Sequence, residues 1–199
     1  MFSVSSAIAF LGLAFNLVSY GLYIRDMMRG QAKPNKVTVG LWFLQGAIAV
    51  GAAWSEGVSW YVLLPVLAGV IGPLGTFILS FVLRQAYWRL GFFDYACGAS
   101  SLAALLLWYW TQNANVAIAL AVLADFMAAL PSVFKSWRYP DTESRVAWLL
   151  SVFGFGTSLL LFEQFTFAEM AYPLYAVAIC ALITLFIYTG PYRAGGRTP

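Results

Sequence analysis

The sequence predicts an all-α polytopic membrane protein of seven transmembrane helices arranged 3+1+3, with the N-terminus outside and the C-terminus cytoplasmic. Three observations carry that reading: an apolar excess, seven long apolar segments, and basic residues confined to alternate joints. The chain has 199 residues, of which 62% are hydrophobic and 10% charged, with a mean hydropathy of +0.79. A soluble domain is about half apolar, so the excess is read as lipid-facing surface rather than core. Aromatic residues reach 18% with eight Trp, which suits interfacial belts.

A spanning helix needs about 20 mostly apolar residues. The segments that qualify are 3–24, 37–54, 60–83, 93–110, 114–134, 146–163 and 168–189. The first lacks a basic leader, is longer than a signal-peptide core and runs into "YIRDMMRG" without a small-residue cleavage site, so it is expected to be a retained helix. The joints test the count. Arg25, Arg29, Lys33 and Lys36 fall between segments 1 and 2, Arg84 and Arg89 between 3 and 4, Lys135, Arg138 and Arg145 between 5 and 6, and Arg193 and Arg197 in the tail. All eleven basic residues therefore lie on one side, while the opposite joints hold Glu56, Glu163 and Glu169. The positive-inside rule makes the basic side cytoplasmic. Trp54, Trp60, Trp108 and Trp110 fall at outer segment ends and Trp88 and Trp137 at the inner boundary, as anchors; Trp42 and Trp148 lie deeper.

Several function classes lose their footing. There is no histidine, the commonest general base and transition-metal ligand. Cys97 and Cys180 are far apart in apolar stretches and read as small buried hydrophobes. No phosphate loop, dinucleotide fingerprint, zinc-protease or hydrolase motif occurs, so no enzyme, metal or cofactor is expected. The net charge of +3 is a topology signal, and nucleic acid is not an expected partner, because no basic cluster is interleaved with aromatics in a soluble context.

One stretch is written twice. "RDMMRGQAKPNKVTV" at 25–39 and "FKSWRYPDTESRVAW" at 134–148 align with an offset of 109: Arg29 meets Arg138, Asn35 meets Ser144, Lys36 meets Arg145 and Val37 meets Val146. Both connectors lie on the basic side, so segments 1–3 and 5–7 form two like-directed units, and segment 4 reverses the chain between them. The expected domains are residues 1–90, a linker helix in 91–113, and 114–199, with parallel repeats related by a rotation of about 180° about the membrane normal.

This plan resembles the SWEET and PQ-loop transporter superfamily. The second unit carries the closer match, "LPSVFKSWRYPDTES", with Pro131, Lys135–Ser136 and Thr142–Ser144. The family's Pro-Gln pair is degenerate: Ser132 stands in place of Gln, and the first unit has Leu22–Tyr23. The resemblance implies a central mid-membrane site between the repeats.

Asn16 and Asp125 are polar residues at mid-span, separated by the same 109 residues. An intramembrane carboxylate costs about 2.5–3.5 kcal/mol on insertion scales, so it persists where it faces water, a partner or a substrate, or carries a proton. Asp125 is the candidate proton site and a candidate solute contact; a structural hydrogen bond to Asn16 or Gln45 is the rival reading. The helical face through Asn16 continues to Tyr20 and Tyr23, and that through Asp125 to Ala129 and Ser132. Asn16, Tyr20, Trp42, Gln45, Asp125 and Trp148 are the candidate solute-binding residues. Pro65, Pro73, Pro131 and Pro173 are candidate hinges, each deleting a helical hydrogen bond; Pro34 and Pro140 read as stops in the connectors.

The expected function is alternating-access transport of a small polar solute, with a proton link through Asp125 as an option. The alternative is a non-transporting membrane receptor on the same fold, since cargo-retrieval receptors share it. The plan is also similar to that of carriers for nicotinamide riboside. A retinal protein is excluded by the last segment, 168–189, which contains no Lys. The expected partners are a small-molecule solute and the lipid bilayer, oligomerisation is compatible with the composition, and the expected location is a bacterial inner or plasma membrane.

Overall fold

The computed structural model describes residues 3–83, 91–111 and 113–193. Arg84, Trp88, Arg89 and Arg197 lie outside the described residues, as do the side chains of Trp108 and Arg193. The described chain is helical: α1 Val4–Met28, α2 Lys36–Ser55, α3 Trp60–Val82, α4 Phe92–Thr111, α5 Ala114–Arg138, α6 Arg145–Leu159 and α7 Phe167–Arg193, with a single 3-10 turn at Pro140–Thr142.

Local chemistry starts and stops these helices. Ser3, Asn35 and Asn113 cap α1, α2 and α5, each accepting from a backbone N–H of the first turn, which satisfies donors the helix leaves open. Gly30 at φ 70° and Gly57 at φ 76° end α1 and α2 in the left-handed region, where a Cβ is costly.

Five helices, α1, α2, α3, α5 and α7, are long and apolar enough to cross a membrane, and the chain is a multi-pass membrane protein. Their outward faces carry exposed Leu11, Ile71, Phe81 and Leu185, a surface that lipid covers. Two helices differ from the seven expected spans. α4 lies outside that group of five, and α6 is apolar but only 15 residues long. The helix expected over 146–163 ends at Leu159 because the chain beyond it has another partner. The Glu169 carboxylate, on the first turn of α7, accepts from the backbone N–H of Glu163, Gln164 and Phe165 at 2.7–2.9 Å. Those donors are lost to a continuing helix, and Phe165 turns to φ 51°.

Six helices close a ring. α1 packs on α3, α3 on α2, α2 on α5, α5 on α7, α7 on α6, and α6 on α1, while α4 rides outside on α5 and α2. Both connectors sit at one end of the ring and touch there: Lys33 N donates to Thr142 O at 3.2 Å. The opposite end is filled by an apolar cluster that includes Ala9, Val62, Leu63, Ile118 and Leu161.

Candidate functional site

A cavity lies inside the ring, lined by residues from all six of its helices and, among the described residues, by none from α4. Its volume is about 70 Å³, room for several waters.

Asp125, on α5, is 3% exposed and faces this cavity. It accepts hydrogen bonds from Tyr175 at 2.5 Å and from Tyr172 at 3.3 Å, both on α7. The two tyrosines sit either side of Pro173 on one helical face, so the bend-prone turn of α7 is tied directly to the carboxylate. The structural partners expected from sequence were Asn16 and Gln45. Asp125 instead reaches across to α7: α5 packs on α7 and not on α1, which leaves Asn16 out of reach, and although α5 also packs on α2, the bonds go to Tyr172 and Tyr175 and not to Gln45. The Trp42 indole N–H lies beside Asp125 without closing a hydrogen bond to it.

The six candidate solute contacts divide. Tyr20, Trp42, Asp125 and Trp148 line the cavity together. Asn16 and Gln45 are fully buried but are not among the lining residues. Asn16 donates from Nδ2 to Pro65 O at 3.0 Å, and its Oδ1 packs against Gly154 of α6. It ties α1 to the proline turn of α3, as Asp125 ties α5 to the proline turn of α7. Tyr23 and Ser132, the positions where the resembled family would place Gln, both line the cavity. Pro73 lines it as well, while Pro65, Pro131 and Pro173 are buried; none of the four ends its helix.

At the connector end the cavity is roofed by a polar cluster. Lys135 and Glu143 form an ion pair at 2.5 Å with both side chains 1% exposed. Glu143 also accepts from Tyr23 Oη at 3.1 Å and from Trp148 Nε1 at 2.9 Å. Lys135 donates to the Lys33 carbonyl of the other connector, and Ser144 donates to Asp26 at 2.5 Å. The Trp148 ring meets Trp42 edge-on at 5.8 Å, which links the roof to the side of Asp125. This cluster was not legible in the sequence, where the connector charges read simply as a cytoplasmic face. Further bonds join the halves, among them Ser19 Oγ donating to Ala147 O at 2.6 Å and Thr38 Oγ1 to Ala128 O at 2.8 Å.

Among the described residues no group of His, Cys, Asp and Glu could hold a metal ion. No protein-family model, no curated protein and no solved structure matches the chain.

Proposed function

We propose that this chain is a membrane transporter of a small polar solute, working by alternating access at a site between two parallel three-helix repeats. The observation that carries the reading is Asp125: a carboxylate buried in the bundle, facing a cavity enclosed by six helices. An intramembrane ionisable residue is a functional hypothesis by default.

The 3+1+3 plan, in the manner of the SWEET and PQ-loop superfamily, draws support from the packing. Exchanging α1, α2 and α3 with α5, α6 and α7 leaves the order of neighbours round the ring unchanged. The hydrogen bonds obey the 109-residue offset. Shifted by that amount, the contact of position 19 with 147 becomes the contact of 128 with 38, and both are bonded. Position 33 becomes position 142, and these two bond each other, as residues on a two-fold axis do. The chain writes its connector twice because, in this reading, the two copies meet on that axis. The N-terminus is then outside, the basic connectors are cytoplasmic, and the host bilayer is a plasma or bacterial inner membrane.

Access from each side follows. The apolar cluster around Val62 and Ile118 closes one end, and the Lys135–Glu143 cluster closes the other. Opening one at a time moves solute across, with the proline turns of α3 and α7 yielding.

The test is uptake by sealed proteoliposomes from a panel of solutes, with and without a pH gradient. Asp125→Asn keeps the size of the side chain but cannot ionise. It is expected to abolish pH-driven uptake while exchange at equal solute concentrations survives. Wild-type uptake and pH response in a well-folded Asp125→Asn protein would remove Asp125 from the mechanism. A solute that binds without crossing would favour the receptor reading.

A further inference from the structure

We infer that the cavity takes a small organic cation: a quaternary or protonated amine that also bears an oxygen acceptor. The inference rests on the reading of this cavity as the solute site, and it names the class of solute.

The argument begins with charge. Among the described residues Asp125 is the only acidic side chain lining the cavity, and no Lys or Arg lines it. The one buried cation among the described residues, Lys135, is committed to Glu143 and to the Lys33 carbonyl. Asp125 has hydrogen-bond donors, Tyr172 and Tyr175, but no positive partner. A carboxylate out of water carries a proton or takes a counter-ion. A cationic solute supplies that counter-ion, so solute and proton compete for one group.

The walls speak for the same class. Tyr20, Trp42, Trp148 and Phe155 present aromatic rings around the cavity. The faces of such rings attract a cation, most strongly where water is excluded. Trp42 and Trp148 stand nearly perpendicular, at 75°, so they form two sides of a corner and not a stacked pair. The lining also offers hydroxyls, of which Ser19 and Ser151 are engaged with each other and with Ala147 O, but a neutral sugar would leave the Asp125 carboxylate without a counter-ion, whereas an ammonium group supplies one.

The acceptor requirement comes from two polar atoms. Trp42 Nε1 and Thr76 Oγ1 are buried without a hydrogen-bond partner among the described residues, and both residues line the cavity. Buried donors left unmade are expensive. A hydroxyl or carbonyl oxygen on the solute would satisfy one of them while the ammonium group meets Asp125.

The experiment compares choline with 3,3-dimethylbutan-1-ol, its uncharged isostere, by calorimetric titration of the purified protein in lipid nanodiscs. Choline is expected to bind at least about tenfold more tightly than the isostere. Asp125→Asn should bring the two within about twofold of each other, and Asp125→Glu should retain the preference, because charge and not shape is recognised. Equal affinities in the wild type, no binding of either compound, or a preference that survives Asp125→Asn would each overturn the inference. The wild-type ratio decides even where the Asn variant does not fold. Flux is measured separately in proteoliposomes. Choline binding without flux keeps the cation site and ends the transport reading; flux of neutral solutes without a choline preference does the reverse.

Discussion

Asp125 and Glu143 are two buried carboxylates whose environments differ in kind. Glu143 has a cation at salt-bridge distance and two neutral donors; Asp125 has two tyrosine hydroxyls, with the Trp42 N–H beside it, and no cation among the described residues. The first is a closed structural unit and the second is left open to a solute or a proton. Breaking the closed unit strands a buried charge. Lys135→Met or Glu143→Gln is therefore expected to cost about 3–5 kcal/mol, read as a loss of thermal stability of the purified protein in detergent. The double variant Lys135→Met/Glu143→Leu should recover part of the loss but not all, since Tyr23 and Trp148 then lack their acceptor. A double variant as unstable as the sum of the singles would show that the two charges are not coupled. Asp125 itself was legible in the sequence, as the one acidic residue well inside a span. Its tyrosine partners were not, because they lie 47 and 50 residues away on a helix whose turns from 170 to 183 are apolar or aromatic all round.

Helices in this bundle approach closely where a side chain is missing. A Cβ at Gly154 would lie 2.2 Å from Asn16 Oδ1, and one at Gly12 would lie 1.8 Å from Thr157 Oγ1, so α1 and α6 are in contact through two glycines. Gly154→Ala must push the helices apart or displace the buried Asn16. A loss of about 1–3 kcal/mol is expected, measured by the same thermal assay; unchanged stability would mean that this crossing is loose. At Gly72 a Cβ would come 2.1 Å from the Tyr20 ring. Gly72→Ala should drive that ring into the cavity and weaken solute binding by about tenfold or more, with stability falling less than in Gly154→Ala. Binding at wild-type strength would place the solute away from Tyr20. At this scale the sequence predicted the elements well and four of their ends four residues off: α1, α5 and α7 run to Met28, Arg138 and Arg193, past the expected 24, 134 and 189. The expected end of α6 at 163 ran past the observed Leu159, since nothing local in "LFEQFTF" announces that Glu169 captures its backbone donors.

The ring of six helices is a property of the whole chain, and so is its sidedness. The Lys33–Thr142 bond puts both connectors at one end, with Lys36, Arg138 and Arg145 at the same end. With the bilayer as the only asymmetric surrounding, these charges set the cytoplasmic side in the proposed topology. Glu56 and Arg138 are both exposed, at opposite ends. In a background free of Cys97 and Cys180, Glu56→Cys should react with an impermeant thiol reagent on intact cells, and Arg138→Cys should react only after the cells are opened. The reverse pattern would turn the molecule over in the membrane and place the Lys135–Glu143 cluster on the outer side.

By itself the sequence determined that the chain is helical, that it lives in a bilayer, that its connectors repeat at an interval of 109 residues, and that one carboxylate lies mid-span. These follow from composition, segment length and local order, which need no knowledge of contacts. Only the tertiary structure decided which faces turn inward. It took Asn16 and Gln45 out of the cavity lining and brought in Tyr172 and Tyr175. It also buried two of the connector charges, Lys135 and Glu143, in a roof over the cavity, while Arg138, Asp141 and Arg145 stay exposed. The physical reason is that lipid and protein core are both apolar, so a membrane helix carries no polar stripe to mark its outer face. The marks that remain are hydrogen bonds between residues as far apart as Ser19 and Ala147, and those exist only once the ring has closed.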